Sequence, residues 1–257
     1  MSASPLVLMY HGIATVPAHD DPDNLFVPVE HFREQLRMVR EDLGYEIVSE
    51  DQYVAHLLLG ARLPRRSCLL TFDDGYASVL HHAAPVLAEQ GAPAVAYVSP
   101  RLIREAQPPA RHAELEYLRP QDLVALQDAG VAIGCHSSGH DSMIGMNSQE
   151  LAAATAGARE EILRLVGTAP RTFAYPFGDH DLPARQAVLS AGFSLAFATY
   201  TGSSIFSIPR VDINTTDTPR TFRLKCNRLY PAVRKRAGSV AGLRRLMHQA
   251  VGYADRV

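Results

Sequence analysis

Two adjacent carboxylates, Asp73 and Asp74, follow the apolar run from Ser67 to Phe72. Side chains of adjacent residues on an extended segment point in opposite directions, so one carboxylate can bind a cation while the other transfers protons. Further along the chain, His136 and His140 are four positions apart, and on a helix that spacing lets two imidazoles converge on one metal ion. Asp74, His136 and His140 therefore form a candidate metal site.

One carboxylate and two imidazoles leave coordination positions open for substrate and water. This set is common for zinc, and cobalt, nickel or manganese are alternatives. Asp73 would then accept a proton from water activated by the cation. Two structural alternatives stay open. Asp73 could instead cap the helix that starts near Tyr76. His140 could be a surface histidine if Gly139 breaks the helix between the two imidazoles.

Hydrolysis of an amide also needs an acid that protonates the departing nitrogen. His11, at the end of the first apolar run, is the candidate. Arg171 precedes the run from Thr172 to Tyr175, and its guanidinium could pair with Asp73 and hold that carboxylate ionised. An exposed arginine without a catalytic role is the alternative.

A constrained turn, Tyr175-Pro176-Phe177-Gly178, ends the same run. Such a turn can aim a backbone N–H, for instance that of Phe177, at a developing oxyanion. The rings of Tyr175 and Phe177, together with Tyr76, would form an apolar wall. We therefore expect the substrate to contact Tyr76, Tyr175, Pro176, Phe177 and Gly178.

Short β-rich runs alternate with helical patterns along the chain. The candidate strands are Leu6 to His11, Glu46 to Ser49, Ser67 to Phe72, Ala94 to Ser99, Val131 to Cys135, Thr172 to Tyr175, Ser194 to Thr199 and Phe206 to Val211. The helical patterns include Val29 to Leu43, Val79 to Glu89, Pro120 to Asp128, Gln149 to Val166 and Leu182 to Ala191. Because the strands are apolar almost throughout, this alternation predicts an α/β fold whose parallel sheet is covered on both faces and closed, or nearly closed, into a barrel.

In such barrels the active site forms where the strands end, in the loops that lead to the helices. His11, Asp73, Asp74, His136 and the turn from Pro176 to Gly178 all follow candidate strands. We therefore expect these residues to share one rim. The segment from Pro100 to Glu116 is predicted to form a long irregular loop over that rim.

The composition favours one domain spanning residues 1–257, because 257 residues with 47% hydrophobic content can bury one large core. A formal net charge of −2 gives no global attraction to nucleic acid. Three cysteines are too few for a disulfide framework and suit a reducing compartment. No run approaches a membrane span and no secretion signal opens the chain, so we expect a cytoplasmic location.

The chain becomes basic from about residue 220, where a helical C-terminal extension is predicted. Asp255 is the acidic residue in this part, and the basic residues are Arg220, Arg223, Lys225, Arg228, Arg234, Lys235, Arg236, Arg244, Arg245 and Arg256. Peripheral contact with anionic membrane lipid is one interpretation of this pattern. A solvated helical face is the other.

Three motifs, in this order, resemble those of the polysaccharide deacetylase family, also called the NodB-homology or carbohydrate esterase 4 family. They are Thr71 to Gly75, His136 to His140 and, in variant form, Arg171 to Gly178. The resemblance implies a distorted (β/α)7 barrel with parallel strands and metal-dependent removal of N-acetyl or O-acetyl groups from carbohydrates. It also implies that Asp73 is the base, that Arg171 is its partner, and that the metal ligands are Asp74, His136 and His140.

The chain departs from the family pattern after Gly178. It has no tryptophan, which the fourth motif normally contains, and no histidine between His180 and His248 that could match the fifth. Instead, Leu8 to Ile13 resembles permuted members of the family, which carry the acid histidine near the N-terminus, and this favours His11. The residue that orients His11 stays open among Asp20, Asp21, Asp23, Arg210 and Asp212.

These observations favour a metal-dependent hydrolase that removes N-acetyl groups from an N-acetylhexosamine unit. The unit would belong to a glycan, a glycolipid intermediate or a glycosylated small molecule. One alternative is a hydrolase of another C–N bond, such as that of an imide, a formamide or a cyclic amide. Another is a non-catalytic barrel that binds carbohydrate. The oligomeric state stays open.

Overall fold

The structure is a computed structural model that describes residues 5–104, 112–200, 202, 204–227, 230 and 234. Its strands are β1 Leu6–Tyr10, β2 Gly12–Ile13, β3 Phe26–Val27, β4 Glu46–Ile47, β5 Ser67–Phe72, β6 Ala94–Val98, β7 Val131–Cys135, β8 Thr172–Ala174, β9 Leu195–Thr199 and β10 Ile208–Asp212. Its helices are α1 Val29–Arg37, α2 Glu50–Leu59, α3 Ala84–Glu89, α4 Pro100–Arg104, α5 Pro120–Asp128, α6 Ser148–Ala152, α7 Ala158–Val166, α8 Leu182–Ser190 and α9 Pro219–Lys225.

Seven parallel strands close into a barrel, because β1 pairs with β10 on one side and with β5 on the other. The remaining strands of the ring follow in the order β9, β8, β7 and β6. β4 is a short addition that pairs with the beginning of β5. The structure therefore confirms the predicted closed α/β barrel with parallel strands. Two further short strands, β2 and β3, pair separately beyond the end of β1.

The predicted helices are confirmed, and π-helical turns complete three of them. These turns are Met38–Asp42 after α1, Val79–Ala83 before α3, and Ala153–Gly157 between α6 and α7. The segment predicted as one irregular loop from Pro100 to Glu116 instead begins with α4, and residues 105–111 lie outside the described residues. The basic C-terminal extension starts with α9, and most of it also lies outside them.

Helix α2 is absent from the sequence-based predictions, because its apolar residues occupy more than one face. Ser49 caps it by accepting a hydrogen bond from the Gln52 N–H, while the Gln52 side chain accepts one from the Ser49 N–H. Tyr53 and Val54 of this helix pack into the apolar cluster inside the barrel. Glu50, at its first turn, accepts a hydrogen bond from Thr172 at the start of β8. Helix α2 thus covers the end of the barrel where the strands begin.

Two apolar layers result from this arrangement. Inside the barrel, a small cluster includes Val7, Leu69, Val95, Tyr97 and Phe197. A larger cluster fills the space between the outer faces of the strands and the helices. Within the described ranges, no helix combines the length and the apolar character needed to cross a bilayer.

Candidate active site

A cavity of about 290 Å³ opens at the end of the barrel where the strands finish. Polar and charged side chains from several loops line it, which is the arrangement that parallel barrels use for catalysis. The lining residues are Met9, His11, Asp23, Leu25, Asp73, Asp74, His136, His140, Phe177, Gly178, Thr199, Tyr200, Asp212, Asn214 and Arg234. The expectation that His11, the two adjacent carboxylates, His136 and the turn after β8 share one rim is confirmed.

Asp74, His136 and His140 converge inside this cavity. Oδ1 of Asp74 lies 3.4 Å from Nε2 of His136 and 3.1 Å from Nε2 of His140. One potential ligand atom from each of the three residues lies within 4.8 Å of the other two. Oδ1 of Asp74 is buried and forms no hydrogen bond with the described residues. Such a carboxylate oxygen is costly to bury unless a cation or a donor completes its surroundings.

A backbone contact fixes which nitrogen of His136 can bind a metal. Nδ1 of His136 lies 2.7 Å from the carbonyl oxygen of Ala174. Because a carbonyl oxygen can only accept, Nδ1 must carry the proton and Nε2 presents its lone pair to the cavity. The hydrogen bond to Ala174 orients the ring of His136 in the way that is usual for metal-binding histidines.

Loops with left-handed backbone conformations carry the site residues. Asp74, Ser137, His140 and Phe177 have φ values of 72°, 65°, 63° and 60°. Positive φ is uncommon for residues other than glycine and is found where a site imposes strain. Two sequence-based expectations are therefore wrong in detail. His136 and His140 lie on a turn and not on a helix. Asp74 leaves the extended conformation, so both adjacent carboxylates face the same cavity.

Arg210 and Asp73 form a buried, bidentate ion pair. Nη1 and Nη2 of Arg210 donate to Oδ1 and Oδ2 of Asp73 at 2.7 and 2.6 Å. Both side chains are buried, and the guanidinium packs 5.5 Å from the ring centroid of Tyr97 and 6.0 Å from that of Phe197. Asp73 therefore pairs with an arginine of β10, and its carboxylate does not cap a helix.

The expected pairing of Arg171 with Asp73 is corrected by this geometry. Arg171 directly precedes β8, so it lies where the barrel strands begin, at the end opposite the cavity. Its exposed guanidinium bonds to Asp51 of α2. From the sequence, Arg210 is a candidate partner of His11 and not of Asp73. The available signal for a buried ion pair is an arginine that lies between the apolar residues Pro209 and Val211 of β10.

The protonation states of both carboxyls follow from these contacts. Burial alone would raise the pKa of Asp73, but the charge of Arg210, with smaller effects of His136 and His11, lowers it below its ordinary value. Burial would likewise raise the pKa of Asp74, but the adjacent imidazoles of His136 and His140 lower it well below its ordinary value. Both carboxylates are therefore ionised at neutral pH.

His11 and Asp212 contribute two further buried atoms with unsatisfied hydrogen-bonding capacity. Nδ1 of His11 and Oδ1 of Asp212 form no hydrogen bond with the described residues, and both side chains line the cavity. Asn214 donates to the other carboxylate oxygen of Asp212, and Nζ of Lys225 donates to the Asp212 carbonyl. Asp212 is thus held rigidly while one of its oxygens is available.

The predicted substrate-binding residues divide into two groups. Two of the five predicted residues, Phe177 and Gly178, line the cavity. Tyr175 is buried below the turn, where its hydroxyl donates to the carbonyl of Phe206. Tyr76 stacks on Tyr117, with ring centroids 5.1 Å apart. Tyr175 therefore supports the turn, and the wall beside the cavity consists mainly of the exposed ring of Phe177, which contacts His140 edge to face.

The three converging residues fit a divalent cation. The donor set is one carboxylate oxygen and two imidazole nitrogens, the ring of His136 is oriented by Ala174, and Oδ1 of Asp74 has no other partner among the described residues. The three residues line the cavity, so a substrate that enters the cavity can reach them. The set alone accommodates several divalent ions.

Comparisons with known proteins are consistent with this geometry. The profile of the polysaccharide deacetylase family matches residues 60–196. A protein of Bacillus subtilis (strain 168), named putative polysaccharide deacetylase YxkH, is 22% identical over 199 residues. The match covers 77% of this chain and 65% of the relative, so this chain spans less than two thirds of the length of the relative.

Solved structures share the fold. The deacetylase PplD of Streptococcus pyogenes, solved with acetate, has a TM-score of 0.78 at 19% identity and covers 88% of this chain and 100% of its own. IcaB of Ammonifex degensii has a TM-score of 0.73 at 21% identity and covers 89% and 97%. At these identities the likeness concerns the barrel architecture.

The Arg210–Asp73 pair predicts a large loss of stability when its cation is removed. In Arg210→Met, Asp73 becomes an unpaired buried carboxylate, so the free energy of unfolding should fall by about 3–5 kcal/mol at pH 7. The pKa of Asp73 is depressed in the folded wild type, so the pair stabilises above the unfolded pKa of about 3.9 and its contribution fades as pH falls. The gap between variant and wild type should therefore narrow on acidification.

Urea denaturation at pH 7 and at about pH 3, which is below the unfolded pKa of the carboxyl, followed by circular dichroism, measures both effects. Arg171→Met is the matched control, because its exposed ion pair contributes at most about 1 kcal/mol. Equal losses for the two variants would contradict the buried pairing.

The converging ligands predict that His140→Ala weakens the binding of Zn²⁺ or Co²⁺ by more than about 100-fold. Isothermal titration of metal-stripped protein measures this directly and needs no substrate. His180→Ala is the control, because His180 lies beside Tyr175 and outside the three-residue cluster. Unchanged metal affinity in His140→Ala would rule out the proposed ligand set.

Proposed function

The chain belongs to the polysaccharide deacetylase family, and we propose that it is a metal-dependent hydrolase that removes the N-acetyl group of an N-acetylhexosamine unit. The convergence of Asp74, His136 and His140 beside the ionised Asp73 carries this proposal. A base next to a metal site, with both facing one cavity, is the arrangement that amide hydrolysis by water needs.

In the proposed reaction, Asp74, His136 and His140 hold a divalent cation, which we propose to be zinc. When bound, the cation would polarise the acetyl carbonyl and lower the pKa of water. Asp73 accepts the proton of the attacking water. Arg210 keeps this carboxylate ionised and fixes its direction, because both carboxylate oxygens are engaged by one planar guanidinium.

His11 is the proposed acid that protonates the departing sugar nitrogen. Its protonated form has to face the cavity, and a carboxylate that accepts from Nδ1 would hold the ring in that direction. Among the candidates for this partner we favour Asp212, because its Oδ1 is buried and unsatisfied beside the same cavity. Asp21 is excluded by its own contacts, since its carboxylate accepts from the N–H groups of Leu25 and Phe26.

The turn after β8 would bind the acetyl group. Phe177 and Gly178 line the cavity, and the oxyanion role of the Phe177 N–H stays a prediction of the sequence. Gly178 has a φ of 73°, and a Cβ at this position would lie 2.6 Å from the backbone nitrogen of Thr199. Glycine is therefore required for the turn to approach β9 this closely.

The substrate we propose is one acetylated sugar unit at a time, because a cavity of about 290 Å³ lies at the small end of ligand pockets. That unit could belong to a glycan, a lipid-linked or nucleotide-linked intermediate, or a glycosylated small molecule. The cytoplasmic location stays a prediction of the sequence. The three buried free cysteines are compatible with it.

Acetate release from chitooligosaccharides, nucleotide-linked N-acetylhexosamines and lipid-linked analogues tests the activity. With added Zn²⁺ or Co²⁺, wild type and Arg171→Met should release acetate, while Asp73→Asn should lose about 10²–10⁴-fold in kcat because the base is removed. Circular dichroism and metal content should confirm that the inactive variant is folded and loaded.

Full activity in Asp73→Asn would disprove the assigned base. No release from any acetylated sugar, with metal bound stoichiometrically and with hydrolysis of a cyclic imide, would move the function to another C–N bond.

We also propose that the basic C-terminal extension contacts anionic lipid. The support for this proposal is the charge of the extension, which carries seven arginines and lysines against Asp255 after Asn227. Arg244→Gln/Arg245→Gln should lower co-sedimentation with vesicles that contain phosphatidylglycerol, because each lost charge weakens attraction to the surface. Unchanged binding would contradict the proposal.

A further inference from the structure

The end of the barrel opposite the cavity carries an unusual surface. Helix α2 covers this end, with Tyr53 and Val54 packed into the inner apolar cluster. The segment from Gly60 to Arg66 then leads from α2 to the beginning of β5. Because the strands of the barrel are parallel, this surface and the catalytic mouth face in opposite directions.

Two leucines at the end of α2 point into solvent. The side chains of Leu58 and Leu59 are 44% and 83% exposed. Their neighbours Leu57 and Leu63 pack against the inner cluster and fasten the segment to the barrel. Packing against the inner cluster therefore explains why Leu57 and Leu63 are apolar. It does not explain the apolar side chains of Leu58 and Leu59, which are exposed to solvent.

Three arginines follow these leucines in the sequence. Between Gln52 and Phe72 the chain contains Arg62, Arg65 and Arg66, which are all exposed, and no aspartate or glutamate. Arg65 and Arg66 line a polar cleft of about 810 Å³. The other charged residues of this cleft are Arg223, which is paired with Asp42, and Glu46. Of the nearby acidic residues of α2, Glu50 is buried and Asp51 is paired with Arg171. By count the three arginines therefore exceed Glu46, the acidic residue that lines the cleft, and Arg66 also donates to the Leu43 carbonyl.

Hydrogen bonds hold the segment in place. The N–H of Ala61 donates to the carbonyl of Ala55, and Nδ1 of His56 donates to the carbonyl of Ala61. The hydroxyl of Ser67 donates to the carbonyl of Pro64. The leucines and arginines are thus presented on a rigid support, and little ordering entropy is lost when a partner binds.

We propose that this surface, the floor patch of Leu58, Leu59, Arg62, Arg65 and Arg66, docks the protein on an anionic lipid bilayer. Arginines attract the phosphate groups of the lipid surface, and exposed leucines insert at the boundary of the acyl chains. A polyanion alone would explain the arginines but not the leucines. The chain's own C-terminal segment is a poor occupant, because after Asn227 it carries seven arginines and lysines against Asp255.

Docking by the floor patch would fix the orientation of the cavity mouth relative to the bilayer. Strand β5, with six residues, leads from the patch to Asp73 and spans about 20 Å. The mouth would therefore open away from the bilayer. The acetylated sugar would be met in the aqueous layer, at roughly the height of the barrel above the lipid surface.

The test compares two matched triple variants of the full chain in sedimentation with vesicles. The floor variant is Leu58→Ser/Leu59→Ser/Arg62→Gln. The mouth variant is Ile144→Ser/Leu182→Ser/Arg119→Gln, which removes one arginine and two leucine-sized side chains that are 56% and 57% exposed. Vesicles of phosphatidylcholine with phosphatidylglycerol should bind the wild type and the mouth variant within about twofold of each other, and the floor variant about fiftyfold more weakly.

Further results also decide the proposal. Supporting results are a loss of wild-type binding in pure phosphatidylcholine or at high salt, and equal acetate release from a soluble substrate by the floor variant and the wild type. A loss confined to the mouth variant, or to Arg244→Gln/Arg245→Gln, would place membrane contact elsewhere and overturn the proposal. Binding of duplex nucleic acid, with no vesicle binding, would also overturn it. Arg62→Glu, which keeps both leucines, should weaken vesicle binding, and unchanged binding would overturn the role of the arginines.

Discussion

The buried ion pair between Arg210 and Asp73 is the interaction on which the rest of the site depends. Transfer of a guanidinium and a carboxylate from water into the barrel is costly unless the geometry is excellent. Here both nitrogens of the fork meet both carboxylate oxygens, and Thr71 accepts a further hydrogen bond from Nη1. The aromatic rings of Tyr97 and Phe197 fill the space beside the guanidinium. Asp73 is therefore ionised and immobile before any substrate arrives.

This ion pair also couples catalysis to closure of the barrel. Asp73 follows β5 and Arg210 lies in β10, and the two strands flank β1, which pairs with both of them. His11 directly follows β1. Asp73, its partner Arg210 and the proposed acid His11 thus come from three neighbouring strands, and their positions exist only when the first and last strands of the ring have joined. The candidate metal ligands differ in this respect, because they follow β5 and β7, which β6 connects.

The clustering of the three candidate metal ligands and the closed barrel were predictable from the sequence for a local reason. Strand endings mark the active rim of a parallel barrel, and the Asp73-Asp74 pair and His136 each come at the end of an apolar run. The conformation of the second motif was not predictable in the same way. An i, i+4 spacing suggests a helix, whereas positive φ at Ser137 and His140 brings the two imidazoles together on a turn. Strain of this kind is imposed by tertiary contacts and leaves little trace in composition.

The order of the sequence motifs does not identify the arginine that pairs with Asp73. Arg171 stands before its strand, and a residue before a parallel strand belongs to the opposite end of the barrel from one that follows a strand. That rule alone separates Arg171 from Asp73, and its guanidinium indeed pairs with Asp51 at the other end. Arg210 reaches Asp73 because it lies within a strand, two residues before the rim position of Asp212, and its long side chain extends through the barrel interior. The requirement is a planar donor fork beside the Asp73 carboxylate, and β10 meets it because it is separated from β5 by β1 alone.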